Sequence, residues 1–301
     1  MNDPARLTLS NGVLEAEIAP HLGARLCRLR SLGGRERGTD LVVPLREWDA
    51  PEHGWPRAGA YPLIPYSNRI ANARLEFEGV SHALVPHPLD LPNTLHGHAQ
   101  RCAWRIHAHH SQRAELVLDA KACEHWPWPF EARIAFELDA NALNVHFTLR
   151  NSGTSTMPAG LGWHPFLALD AASTIDFDAR RRWELDETFL PTGHAFTVDA
   201  PTTLTRDDWQ TRPCAFYASE WTGEARIERH AGTVRLSAEA PFTHLVAYTP
   251  REGTFFCLEP VSHVANGFNF AARGIDGTGM HTLAPGASFA ASATLAWEPK
   301  R

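Results

Sequence analysis

Apolar and polar residues alternate along most of this 301-residue chain. In NALNVHFTLR, Leu143, Val145, Phe147 and Leu149 share one face, and Asn144, His146, Thr148 and Arg150 the other. That is the period of a half-buried strand. ARIAFELDA repeats it with Ile134, Phe136 and Leu138 inward. LTLSNGVLEAEIAP reads as two strands joined at Asn11-Gly12, the commonest short hairpin signal. Further strands are expected in ARLEFEG, AELVLDA, TVRLSAE, FFCLEP and SATLAWEP. No segment keeps a helical period over three turns. With 22 prolines and 21 glycines punctuating short strands, the chain is expected to be all-β, a sandwich or a barrel. The Pro-rich stretch from Asp49 to Pro65, which holds Trp55 and Tyr61, reads as a long ordered loop of the kind that often carries function. No linker or internal repeat interrupts the pattern, so one domain is expected over residues 1–301.

Composition narrows the function classes. Hydrophobic residues make up 44% and charged residues 21%, an ordinary globular balance with length enough for a sizeable core. Net charge is −6, and the only basic cluster is Arg180 to Arg182, which argues against a nucleic-acid partner. The five cysteines are odd in number, scattered and without a C-x-x-C, as expected of free thiols in a reducing compartment. The N-terminus lacks a signal pattern and no apolar run reaches about 18 residues, so a soluble, cytoplasmic protein without a membrane partner is expected.

Four stretches carry more functional groups than strand-building requires. Asn68 and Arg69 sit just before a strand in YPLIPYSNRIANARLEFEG, where the plain alternative is a turn with a surface arginine. His96 and His98 in LHGH would point the same way if they lay on a strand, which could begin a metal site, bind an anion or hold a sugar hydroxyl. His164, between Trp163 and Pro165 in GLGWHPFLAL, could equally be a satisfied core histidine. Glu259 ends an apolar run in FFCLEPVSH, and a buried carboxylate needs a partner, for which a structural arginine is the plain candidate. A cupin-type metal site would follow H-x-H with a glutamate, but AQRCAWRIHAHH offers no acid before Asp119, so no metal is expected. There is no G-x-S-x-G elbow, no cysteine in an electropositive helix start, and no second acid placed like Glu259 for glycoside hydrolysis. Ten tryptophans, Trp126 and Trp128 among them, could stack on sugar rings or fill a core.

Taken in order, these stretches resemble the aldose 1-epimerase (galactose mutarotase) family. The resemblance rests on Asn68-Arg69-Ile70 before a strand, Leu95-His96-Gly97 followed by Trp104, and Trp163-His164-Pro165-Phe166. Leu190 to Gly193 and Leu258-Glu259-Pro260 complete the set. It implies a large antiparallel β-sandwich, the galactose mutarotase-like supersandwich, with a monosaccharide bound on its concave face. It also implies Glu259 as general base, His164 as general acid, Arg69, His96 and Asn68 as substrate-binding residues, and no cofactor. The family's aspartate ahead of a W-x-G segment is missing before Phe216, and Asp207 and Asp208 come several residues early. A hexose-6-phosphate 1-epimerase and a non-catalytic carbohydrate-binding sandwich are the alternatives. Ordinary values of about 4.3 for glutamate and 6.5 for histidine would let Glu⁻ and HisH⁺ coexist, and their mutual attraction is expected to widen that window. The sequence leaves the oligomeric state open.

Overall fold

The computed structural model describes residues 6–33, 38–46, 56–210, 214–250 and 252–300. Among them, seventeen strands join one continuous sheet in which every pair of strands is antiparallel. The sheet folds over on itself through two long strands, Thr174–Leu185 and Cys214–Glu228. Residues Glu224 to Glu228 pair with Gly232–Ala238 in one layer, and Cys214 to Ser219 pair with His244–Thr249 in the other. Ser10 N–H donates to the Ser111 carbonyl at 2.7 Å, bringing the outer edges of the two layers together. A near-closed β-sandwich results.

Leu143, Val145, Phe147 and Leu149 are all buried, as are Ile134, Phe136 and Leu138. They meet Trp163, Leu245, Ala247 and Leu258 from the opposite layer, with the Phe147 and Trp163 rings 6.5 Å apart. Each such side chain, fully withdrawn from water, contributes roughly 1.5–3 kcal/mol. The Asn11-Gly12 hairpin joins Leu7–Ser10 to Leu14–Ala19, and Asn11 Oδ1 accepts from Val13 N–H and Leu14 N–H at 3.0 and 2.8 Å. The helices are short, Arg206–Gln210 and Gly267–Ala272. No helix among the described residues is long and apolar enough to cross a membrane. No disulfide joins the cysteines.

The end of the Pro-rich stretch is a correction. Residues 49–55, including Trp55, lie outside the described residues, but Ala60–Leu63 is a strand rather than a loop. It pairs with Gly162–Ala168 although Pro62, opposite Trp163, donates no hydrogen bond. Both faces of this short strand are buried, which erased the alternation that marks a strand in sequence.

Candidate functional site

Strand Phe255–Val261 is buried throughout. Its even-numbered residues Phe256 and Leu258 face the sandwich core, while Cys257, Glu259 and Val261 belong to a second apolar cluster or its border on the concave side. The registers Gly162 with Val261 and Phe166 with Cys257 set His164 opposite Glu259. Tyr61 stands opposite His164, Val246 opposite Glu259, and Tyr217 opposite Val246. Tyr61, His164, Glu259, Val246 and Tyr217 therefore form one row across five strands. Cross-strand neighbours of this kind share a face and lie within side-chain reach. Phe166, Cys257, Tyr248 and Ala215 form the adjacent row in the same way. His164, Glu259, Val246, Tyr217, Tyr248 and Ala215 of these rows floor a cavity of about 280 Å³, small for a ligand pocket and of the order suited to a small molecule, while Tyr61 and Phe166 line its adjoining mouth.

His164 Nε2 lies 3.3 Å from Glu259 Oε1. The imidazole stacks against Tyr61, 4.8 Å away, and Phe166, 4.6 Å away, two rings that lie 6.2 Å from each other, and it meets His96 edge-on at 5.1 Å. His164 Nδ1 and Glu259 Oε2 are buried with no hydrogen-bond partner among the described residues. Buried polar atoms rarely go unsatisfied, and both of these belong to residues that line the cavity, which makes it a candidate ligand site. Burial pushes the Glu259 carboxyl well above the usual carboxylate range, against the pull of Arg69. Burial, with a smaller push from Arg25, lowers His164 to about 3. Both shifts run opposite to those expected of a Glu⁻/HisH⁺ pair: desolvation outweighs mutual attraction and favours the uncharged form of each group.

Loops supply the walls. Arg69 pairs with Leu95 in a two-residue ribbon and donates from Nε and Nη2 to Asp90, both at 2.8 Å. Its Nη1 donates to Tyr217 Oη at 3.1 Å, and that hydroxyl donates to Asn68 Oδ1 at 3.2 Å. Asn68 N–H donates to His96 Nδ1 at 3.2 Å, which assigns the neutral tautomer with its proton on Nε2. Asn68 and His96 both hold left-handed backbone, φ 56° and 63°. Gly97, at φ 70°, follows, and a Cβ there would fall 2.2 Å from the Ile64 carbonyl oxygen. That carbonyl receives His98 N–H and Ala99 N–H, pinning the loop that carries His96. Gly97→Ala is expected to lower stability by about 2 kcal/mol or more, read from urea unfolding. An unchanged midpoint would show that the loop yields freely.

The two histidines of LHGH do not act together. The strand ends at Leu95, so the chain turns between them. His98 packs 3.4 Å from Cys102 Sγ and 3.8 Å from Cys123 Sγ, stacked on His125 and outside the cavity lining. One group of three donors, from His164, Cys257 and Glu259, lies within 4.8 Å of one another. Burial holds the Cys257 thiol well above its usual range, as it does the Glu259 carboxyl. Two of the three would have to lose buried protons to bind a cation, a poor donor set.

The structure brings together Asn68, Arg69, His96, His164 and Glu259 around one cavity. Sequence reasoning missed Asp90, Tyr217, Tyr248 and Phe189, which also line the cavity or its adjoining mouth. Asp90 carried no signal beyond an Asp in a Pro-bounded turn. Asp207 and Asp208 sit exposed in the short helix, where Asp208 caps Thr205, and do not line the cavity. The described tryptophans, Trp126 and Trp128 included, are all buried and none lines it.

The chain is a folded-over antiparallel sandwich with a buried carboxylate–imidazole pair lining its cavity. The chain belongs to the aldose 1-epimerase family, whose sequence profile it matches over residues 5–296. It is 28% identical over 255 residues to the uncharacterized protein YphB of Escherichia coli K12, covering 79% of this chain and 83% of that one. A crystal structure of a putative aldose 1-epimerase from Escherichia coli K12 superimposes with a TM-score of 0.83, at 24% identity, covering 98% and 99% of the two chains. A galactose mutarotase-like protein from Clostridium acetobutylicum gives 0.83 at 19% identity, over 97% and 95%. These two likenesses establish the fold.

Proposed function

We propose that this chain is a cofactor-independent isomerase that interconverts the α and β anomers of a free aldose, working as one domain. The observation that carries the reading is the pair of orphaned buried atoms, His164 Nδ1 and Glu259 Oε2, beside a 3.3 Å His164–Glu259 contact in a sugar-sized cavity.

Ring opening removes the proton of the C1 hydroxyl and delivers one to the ring oxygen as the C1–O bond breaks and the carbonyl forms. Both oxygens are bonded to C1, so two groups on one side of the ring suffice. Transfer of the Glu259 proton across to His164 generates the ion pair that the closed sugar meets. Glu259 then takes the hydroxyl proton as general base, while His164 gives its proton to the ring oxygen as general acid. The pair is left uncharged, the form that burial favours, while the open-chain aldehyde turns about C1–C2. Closure from the other face reverses both transfers, so no proton is gained or lost.

Arg69, His96 and Asn68 hold the distal hydroxyls. Arg69 is already matched by the Asp90 carboxylate in a two-point pair, which favours an uncharged sugar over a hexose 6-phosphate. The disulfide-free cysteines suit a cytoplasmic setting.

Polarimetry of freshly dissolved α-D-galactose and α-D-glucose tests the reading, with an accelerated approach to equilibrium expected for at least one. Exhaustive chelation should leave that rate unchanged. No acceleration with any aldose would refute the epimerase reading, and loss of activity restored by a divalent ion would place a metal among His164, Cys257 and Glu259.

A further inference from the structure

The hairpin between Thr174–Leu185 and Pro191–Thr197 holds a feature that folding alone does not explain. Its tip carries Phe189 at φ 62°, a left-handed conformation that a bulky aromatic rarely adopts. The residue is 41% exposed and stands outside the hydrophobic clusters. Glycine or asparagine would satisfy the turn at less cost.

Asp186 fastens the tip. Its Oδ1 accepts from Thr188 N–H, the Thr188 hydroxyl and Leu190 N–H at 2.8, 2.7 and 3.0 Å. Asp186 N–H donates to the Leu190 carbonyl at 2.9 Å, and Phe189 N–H to the Asp186 carbonyl at 3.1 Å. The result directs an apolar ring to the wall of the cavity that also holds Glu259, His164 and Arg69. Strain of this kind persists where the surroundings impose it and collects at binding sites.

We propose that Phe189 is a preset platform for the C–H face of a neutral aldopyranose, and that Asp186 is its positioning residue. This rests on the epimerase reading. The sugar then lies between polar groups, which take its hydroxyl edge, and one aromatic ring, which takes its apolar face. An aromatic face also disfavours a phosphorylated occupant at that wall, in keeping with the matched charge of Arg69.

The test compares native protein with Phe189→Gly, Asp186→Ala and Asp186→Asn, by polarimetric KM and kcat and by calorimetric titration with D-galactose and D-glucose. Phe189→Gly is expected to raise KM and Kd about five- to tenfold with kcat within about twofold. Its thermal midpoint should equal or exceed the native one, because glycine relieves the strained φ. Asp186→Ala should reproduce most of the KM rise, and Asp186→Asn, which keeps the acceptor oxygen, should restore near-native values. An unchanged KM and Kd in Phe189→Gly, or a loss of stability without a change in sugar affinity, would overturn the platform. Native protein that binds sugar without turnover, with Phe189→Gly binding more weakly, would uphold the platform and sink the epimerase reading. Native protein that neither binds nor converts these sugars would overturn both.

Discussion

Glu259→Gln and His164→Asn are each expected to lower kcat by at least about a hundredfold, the usual contribution of one positioned acid or base, while KM changes little. Arg69→Ala and His96→Ala should show the opposite split, with KM raised and kcat mostly kept. The pH dependence follows from the shared proton. Burial lowers His164 to about 3 and raises Glu259 well above its usual range, so both shifts favour the uncharged forms of the pair. Native kcat/KM should be flat across neutral pH. It should fall on the acid side as the pair gains a second proton, and on the alkaline side as it loses its last. The sign for stability is the reverse of the sign for function. A folded carboxyl with a raised pKa stabilises below its unfolded value, and that contribution is lost as pH rises through the folded value. Glu259→Gln removes this penalty, so the nearly inactive variant should melt higher than native protein at pH 8. A variant that keeps near-native turnover, or a native profile confined to a narrow band near pH 5.4, would refute the assignment.

The second large effect is on stability in acid. His263 Nδ1 donates to the Val264 carbonyl at 2.8 Å while its Nε2 accepts from Ser67 N–H at 3.0 Å. Both nitrogens are committed and only the neutral ring fits. His244 is similar, with Nε2 donating to the Gly277 carbonyl at 3.0 Å and Nδ1 3.1 Å from the Thr243 hydroxyl. Burial lowers both to about 4. A histidine whose folded value lies below its unfolded 6.5 contributes stability above pH 6.5, lost as pH falls through the folded value. About two and a half units correspond to about 3 kcal/mol for each ring once pH reaches 4, a large share of the 5–15 kcal/mol that holds a typical domain. Urea unfolding at intervals from pH 8 to pH 4 should show a steep decline beginning near pH 6.5. Stability that stays level down to pH 4.5 would show that these rings accept protons without cost.

The alternation in residues 132–149 announced strands because those strands bury one face and expose the other. Ala60–Leu63 escaped because both of its faces are buried, and Pro62 breaks the propensity as well. At the site, the five residues singled out by their local company do surround one cavity. Asp90 and Phe189 were illegible, because what brings each there is a turn whose path depends on distant strands. The direction of the pKa shifts at Glu259 and His164 runs against the expected one for a related reason. A sequence shows two charged groups, but their resting state is decided by how completely the sheet excludes water around them.

The row of side chains across five strands has a further consequence for how such a protein can diverge. Its proposed proton-transfer groups, Glu259 and His164, are fixed by strand register, and a slip of one residue would turn both to the other side of the sheet. The proposed substrate contacts come instead from turns around Asn68, Asp90, His96 and Phe189, which line the cavity or its mouth and where exchange of a few residues leaves the register intact. Selection for a new sugar can therefore rewrite the turns while the reaction is inherited unchanged with the sheet.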